Sequence, residues 1–302
     1  MAEPSSALTP APAPRAADAA FPAPSAAALA YPWQRRLLRT LRFGLARLRA
    51  RDGYISAPAG PFEATFLGPA RDVITRHIYR FGAHEPTITR YVMEHVRLAD
   101  GEVALDIGAN IGWYSVLLSR LSAPQARIYA FEPDVESFVL LQRNLYANHA
   151  ANVTAVNCAL GAEPGTGELR RYKHSNNGRH SLLGATDGRD TLQVRIRTLA
   201  GFWQEQALEE RPLRFMKIDV EGFEYFVLRG AGALLGRCAQ LILEYSPEGL
   251  RCAGLQPADL TALLASSSFS VQVFTGAGLA PISLEALHSL QAQHDLLLTR
   301  RD

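Results

Sequence analysis

The residues best suited to chemistry in this chain are acids placed at the ends of short apolar runs. Asp106 closes "EVALD" and opens Asp106-Ile-Gly108-Ala-Asn110-Ile-Gly112, and Glu132 closes "RIYAFE". Lys217, Asp219 and Glu221 alternate in "FMKIDVEG", and Glu244 ends "LILE". Gly108 and Gly112 let the backbone turn tightly and approach a ligand, while Asn110 tolerates left-handed geometry. The spacing is not the G-x-G-x-x-G of a pyrophosphate site, and Asp106 is a carboxylate where a phosphate would meet repulsion. A ligand with a cationic or hydroxyl-bearing part near this loop is expected. Glu132 suits a ribose diol, because one carboxylate accepts two hydrogen bonds at once. A nucleoside with a cationic tail and no phosphate satisfies both acids, which points to S-adenosylmethionine as the cofactor. Asn157 and Cys158, in "VNCALG", fall where its adenine edge would lie.

These residues need elements to hold them. Apolar runs predict strands at 103–107, 127–131, 153–157, 215–220 and 240–244. Helical patterns at 113–121, 135–148 and 224–235 lie between them. Strands alternating with helices indicate an α/β fold with a parallel sheet covered on both faces. Ligands then bind beyond the carboxyl ends of the strands, where the acids above fall. A Gly-rich, polar passage over 161–200 interrupts the alternation, and a helix over 259–265 with strands near 270–274 and 295–299 completes the sheet. Asp219 and Glu221 have a plainer reading as caps of the helix that follows them, and Glu244 one as a partner of Lys217 or Arg229.

Composition narrows the function classes. The 302 residues are 48% hydrophobic and 20% charged, as in ordinary soluble proteins. Cys158, Cys238 and Cys252 form no C-x-x-C pair, so neither a disulfide framework nor a zinc knuckle is indicated. No apolar run is long enough to cross a bilayer, and no secretory signal pattern is present; a cytoplasmic protein is expected. Residues 1–52 carry a net +5 and the remaining 250 a net −3, within an overall +2. A mildly acidic main domain weighs against a nucleic-acid partner. Residues 1–32 are Ala/Pro/Ser-rich and read as a disordered tail. Residues 33–52 read as an Arg-rich amphipathic helix with Leu37, Leu38, Leu41, Leu45 and Leu48 on one face. That helix is expected to pack its leucines on the domain; the alternative is peripheral contact of residues 33–51 with the inner, anionic face of a membrane. Residues 53–302 form the main domain, with 53–100 an N-terminal extension of a core over 101–302. The sequence leaves the oligomeric state open.

"ALDIGANIGWYS", "IYAFEPDVESFVLLQRNLYAN", "VNCALG", "FMKIDVEGFEYFVLRGA" and "LILEYSP" occur in this order over about residues 78–247. Together they resemble the FkbM-type methyltransferases. The resemblance implies a class I, Rossmann-like, seven-stranded methyltransferase sheet. It also implies that residues 106–112 hold the methionine end of S-adenosylmethionine, that Glu132 binds its ribose, and that a hydroxyl of a sugar, glycan or polyketide-like product is methylated. Ala200, in "RTLAGFW", departs from the family's usual Asp.

In-line transfer needs alignment of acceptor, methyl and sulfur, and a base near a weakly nucleophilic hydroxyl. Asp219 and Glu221 are the first candidates, with His84, His174 and His180 as alternatives. Two close carboxylates could also hold a divalent cation through water, although no metal ligand set is assigned. The polar stretch "RYKHSNNGRHSLLG" contributes His174, Asn176 and His180 as candidate substrate contacts. Two rivals remain: a catalytically silent binding protein on the same fold, and a nicotinamide-dependent oxidoreductase, against which Asp106 and the missing glycine pattern count.

Overall fold

The computed structural model describes residues 33–171, 182, 190–276 and 278–301; the expected tail over 1–32 lies outside the described residues. The chain opens with helix α1 (Trp33–Arg49), hairpin β1 (Tyr54–Ala59) and β2 (Ala64–Pro69), and helices α2 (Val73–Phe81) and α3 (Pro86–His95). The alternating part runs β3 (Val103–Ile107), α4 (Trp113–Leu121), β4 (Arg127–Phe131), α5 (Val135–Ala147) and β5 (Val153–Val156). Three strands then form a small separate sheet: β6 (Ala159–Leu160), β7 (Gly165–Arg171) and β8 (Asp190–Arg197). The main sheet resumes with α6 (Leu199–Glu205), β9 (Leu213–Ile218), α7 (Glu224–Ala231) and β10 (Gln240–Tyr245). The remainder is α8 (Pro247–Cys252), α9 (Pro257–Ala265), β11 (Phe269–Thr275), β12 (Gly278–Pro281), α10 (Leu284–Leu287) and β13 (His294–Arg300).

The main sheet has the order β12-β11-β13-β10-β9-β3-β4-β5. Five strands are parallel, and β13 runs antiparallel between β10 and β11. This is the expected α/β class I sheet of seven strands, extended at one edge by the short β12 that pairs with β11. Chain order reverses beside β3: the path goes out through β4 and β5, then returns to β9 on the other side. Such a reversal opens a crevice at the strands' carboxyl ends.

Central strands are buried on both sides, as parallel strands under helices must be. Val103, Leu105 and Ile107 face a layer built with α6, α7 and α9, while Ala104 faces a layer built with α2 to α5 and the β1–β2 hairpin. Asp106 therefore points to the α4 side, where Ser115 meets it. The cores on the two faces share the sheet but little else.

The hairpin is tied to the core by two buried amides. Asn144 Oδ1 accepts from Leu67 N at 2.7 Å, and its Nδ2 donates to Leu67 O at 3.0 Å and Ile111 O at 2.8 Å. Asn148 treats Thr65 in the same way, at 2.9 Å in both directions. Four helical residues rise about 6 Å and two strand residues about 6.6 Å, so amides one helical turn apart match alternate residues of β2. Because Asn144 also holds Ile111, it braces the glycine loop after β3. Asn144→Ala should strand these buried backbone groups and lower the unfolding free energy by roughly 3 kcal/mol, read as a drop in the urea midpoint with an unchanged slope.

Candidate active site

The sheet register decides which side chains meet at the crevice. Asp106 lies beside Lys217 in the β3–β9 pairing, and Ile242 lies beside Lys217 in the β9–β10 pairing. Glu244 is paired across with Asp295 of β13. Side chains alternate along strands, so Lys217 and Asp219 project to one face, and Lys217 Nζ reaches Asp219 Oδ2 at 2.6 Å.

Gly108 follows β3 with φ 86°, and a Cβ there would lie 1.8 Å from Asp219 O. Only glycine allows the loops after β3 and β9 to touch in this way. Asn110 is left-handed at φ 49°, and its backbone N–H donates to Glu132 Oε2 at 2.8 Å. Gly112, also left-handed, starts α4 against Leu141.

Glu132 follows β4 directly and is almost fully buried, with Asp134 N donating to its Oε1 at 2.8 Å. Burial pushes its carboxyl up to about 8 against the pull of these two N–H groups. Asp106, also buried, accepts from Ser115 Oγ at 2.5 Å, and burial pushes it up to about 6 despite Ser115 and Lys217. Asn157 Nδ2 donates to Glu132 O at 2.8 Å and Pro133 O at 3.1 Å, so it fastens the turn after β4. The Cys158 thiol is buried and raised to about 11 by that burial.

After β9, Glu221 takes φ 52°, an uncommon left-handed conformation for a non-glycine residue. Glu224, the first residue of α7, steadies the turn: its Oε1 accepts from Val220 N and Gly222 N, both at 3.0 Å. Asp219 and Glu221 are thus not the caps of α7, since its N-cap, Phe223, has no side-chain bond and Glu224 takes the loop amides. Glu244 pairs with neither Lys217 nor Arg229. It accepts from Gln293 Nε2, and its buried Oε2 has no hydrogen-bond partner among the described residues. Burial and the neighbouring Asp219, Glu224 and Glu221 raise its carboxyl well above the usual range. Carboxylate oxygens of Asp219, Glu221 and Glu244 all lie within 4.8 Å of one another.

Glu85 and Tyr114 are absent from the sequence-derived site, whereas Lys217 and the alternative base His84 are named there and meet them here. Glu85, left-handed at φ 42° before α3, lies 3.8 Å from Lys217 Nζ and accepts from Tyr114 Oη at 2.7 Å. Burial alone would raise Glu85, but Lys217 and His84 hold it down at about 2. Lys217 sits 4.7 Å from the centre of the Tyr114 ring. Burial acts to lower its ammonium, yet Asp219 and Glu85 outweigh that and keep it charged. His84 Nε2 is 3.4 Å from Glu85 Oε1, while its buried Nδ1 has no hydrogen-bond partner among the described residues. The one local signal for Glu85 is its place before a proline at a helix start; beyond the adjacent His84, its partners are more than a hundred residues away or on α4.

The crevice has two lobes that share Gly108, Asn110, Asp219 and Glu221. One is lined by Phe131, Glu132, Pro133, Cys158, Leu160 and Phe223, with Leu169 and Leu182 from the small sheet side. The other is lined by His77, His84, Glu85, Asp106, Lys217 and Glu244. The first lobe has mainly apolar walls with Glu132 and the two shared acids, and the second has charged walls. His174, Asn176 and His180 lie outside the described residues, between β7 and β8.

With this geometry in place, the comparison with known proteins is decisive. Residues 106–264 match the methyltransferase FkbM domain. The chain belongs to the FkbM methyltransferase family. Among curated relatives, a hexuronic acid methyltransferase, AglP, of Haloferax volcanii is 27% identical over 63% of this chain and 71% of its own length. The 31-O-demethyl-FK506 methyltransferase FkbM of Streptomyces tacrolimicus is 33% identical over 41% of this chain and 42% of its own. A methyltransferase of Beauveria bassiana is 30% identical over 43% of this chain, and the match spans 59% of that protein, under two thirds of it. Among solved structures, a precorrin-6y C5,15-methyltransferase from Geobacter metallireducens superposes at a TM-score of 0.40 with 16% identity, covering 72% of this chain and 90% of that one. The FkbM match begins at Asp106, the first acid of the crevice.

The raised carboxyl of Glu132 has a consequence for stability. An unfolded glutamate ionises near pH 4.3, so between that value and about 8 the folded chain binds the extra proton. Stability from this group is therefore present at lower pH and is lost as pH rises through its folded value. The ligand-free chain should lose about 1 kcal/mol between pH 7 and 9, and Glu132→Gln should flatten that part of the profile in paired chemical-denaturation curves.

Proposed function

We propose that this chain transfers a methyl group from S-adenosylmethionine to a hydroxyl of a sugar or similarly polyhydroxylated acceptor. The observation that carries the reading is Glu132: a buried carboxylate, fixed by the N–H groups of Asn110 and Asp134, on the wall of the first lobe where the chain order reverses. Its remaining lone pairs suit the two hydroxyls of a ribose, and an acid there is hostile to a pyrophosphate. The adenine then lies against Phe131, Pro133, Cys158 and Leu160, the first lobe's apolar wall. The methionine end passes Gly108 toward Asp106, which, with Asn110 and Gly112, shapes the loop.

The sulfonium then faces the rim of Asp219, Glu221 and Glu244. Negative charge placed there stabilises the bound cation and fixes the direction in which the methyl points. Asp219 is held by Lys217, so its role is electrostatic positioning, with Glu221 beside it. His84 suits the proton transfer better: Nε2–H is oriented by Glu85, which leaves the Nδ1 lone pair to receive the acceptor's proton. Displacement at the methyl carbon breaks its bond to sulfur and forms the bond to oxygen, releasing S-adenosylhomocysteine and a proton that passes to His84. The second lobe's hydrogen-bonding lining, with His77, His84, Glu85 and Gln293, favours a sugar-like acceptor over an apolar one. The hexuronic acid relative supports the same acceptor class.

Titration calorimetry should find S-adenosylmethionine and S-adenosylhomocysteine bound in the micromolar range, with NAD unbound. Glu132→Ala should weaken both by about 100-fold, since the buried carboxyl that would meet the ribose is lost and the backbone N–H groups it accepts from are left unpaired. A folded wild type that ignores both ligands would sink the reading. His84→Ala should leave cofactor affinity unchanged and cut S-adenosylhomocysteine formation by about 100-fold, in an assay screening uronic acids and other sugars as acceptors. Undiminished turnover would return the base to Glu221.

A further inference from the structure

Helix α1 presents its leucines outward, not inward. Leu37, Leu38, Leu41, Leu45 and Leu48 are 49 to 85% exposed, which overturns the expectation that they pack on the domain. What packs is the opposite face. Phe43 is buried with Ile55 and Ala70, and its ring meets Tyr79 at 5.5 Å. Arg39 donates to Tyr79 O at 2.6 Å and to Pro58 O and Ile78 O, and Arg80 Nε donates to Thr40 Oγ1 at 3.1 Å. The helix is therefore fixed to α2 and the hairpin by one side, and its leucine side is held in the open by that attachment.

At about 100° per residue, the five leucines span an arc of roughly 100°, centred opposite Phe43. Exposed Arg42 and Arg49 follow on one flank of that arc and exposed Arg47 on the other, with exposed Arg51 in the turn just past the helix end. Residues 33–51 contain seven arginines and no acid. An apolar stripe between two cationic borders is the pattern of a helix lying in the plane of a lipid interface, where leucines enter the acyl boundary and guanidinium groups meet headgroup phosphates. A protein groove would require cover for the leucines without needing cations along both borders. Tyr54, an exposed aromatic, and Arg71 line a groove beside the C-terminal part of the helix, together with Glu136, the single acid in its lining. No described helix is long and apolar enough to cross a membrane, so the contact is one of surface docking.

We infer that α1 docks this protein on an anionic membrane surface through Leu37, Leu38, Leu41, Leu45 and Leu48, with the bordering arginines on lipid phosphates. The docked face is anchored through Arg39 and Phe43 to α2, and α2 supplies Ile74 and His77 to the second lobe of the crevice. Docking would thus set the acceptor lobe one helix away from the lipid surface.

The test is co-sedimentation of the full chain with vesicles of phosphatidylcholine alone and with phosphatidylglycerol added. Wild type should pellet at least tenfold more with the anionic vesicles, and 0.5 M salt should reduce that fraction. The double variant Leu41→Glu/Leu45→Glu should stay in the supernatant while keeping the wild-type melting temperature, because both side chains contact solvent. Arg42→Glu/Arg49→Glu should lose the preference for anionic vesicles. Equal sedimentation of wild type and the leucine variant would overturn the inference. So would failure to bind either vesicle, including the case where wild type runs as a dimer that the leucine variant splits, which would assign the stripe to a second copy of the chain.

Discussion

An ammonium removed from water beneath a parallel sheet is tolerable only where acids surround it, and Lys217 is in that position. Asp219 at 2.6 Å and Glu85 at 3.8 Å supply the opposing charge, and the Tyr114 ring lies on another side. Asp219 stands two residues further on, at the start of the turn after β9, and meets the ammonium from there. Glu85 does not belong to the sheet; it arrives from the turn before α3, held left-handed. The segment before β3 is therefore joined to the core by a counter-charge as well as by apolar packing, and the second lobe exists only where the two meet.

Around this one cation the crevice carries an excess of acid. Asp106, Glu132, Glu224, Glu244 and Asp295 are all pushed upward chiefly by burial. Each is costly to the ligand-free protein, and their concentration at one set of strand ends is the electrostatic signature of a functional site. A cation entering the rim relieves the repulsion that raises Glu244. The field is built before the ligand arrives, with the turn after β9 pinned by Glu224 and the turn after β4 pinned by Asn157.

Much of the frame was legible in the sequence because buried parallel strands write themselves as short apolar runs. The strands at 103–107 and 127–131 and the helix at 113–121 have the expected bounds. The strand at 215–220 begins two residues earlier and ends at Ile218, because Asp219 and Val220 already belong to the turn that meets Gly108. The helical pattern over 224–235 gives way after Ala231 to a tighter turn beginning at Gly232. The eighth strand, β12, is four residues of Gly-Leu-Ala-Pro, too short for any periodicity to show. In the site, acids at strand ends were readable locally; Glu85, Tyr114 and Ser115 were not, since their roles depend on contacts across the fold. The orientation of α1 was misread for the opposite reason. Leucine periodicity marks an apolar face but not what covers it, and a single Phe with a single well-placed Arg decided the packing.

The two asparagines of α5 have a further consequence. A hairpin strand with one side open offers its unpaired N–H and C=O groups to any passing strand, and long-lived proteins need some means of closing such an edge. Thr65 and Leu67 of β2 meet the amides of Asn148 and Asn144, which present an acceptor and a donor to each residue as a neighbouring strand would. The helix thereby imitates a strand along two residue positions. The edge of the hairpin is closed by side chains, and association through that edge is denied to other chains.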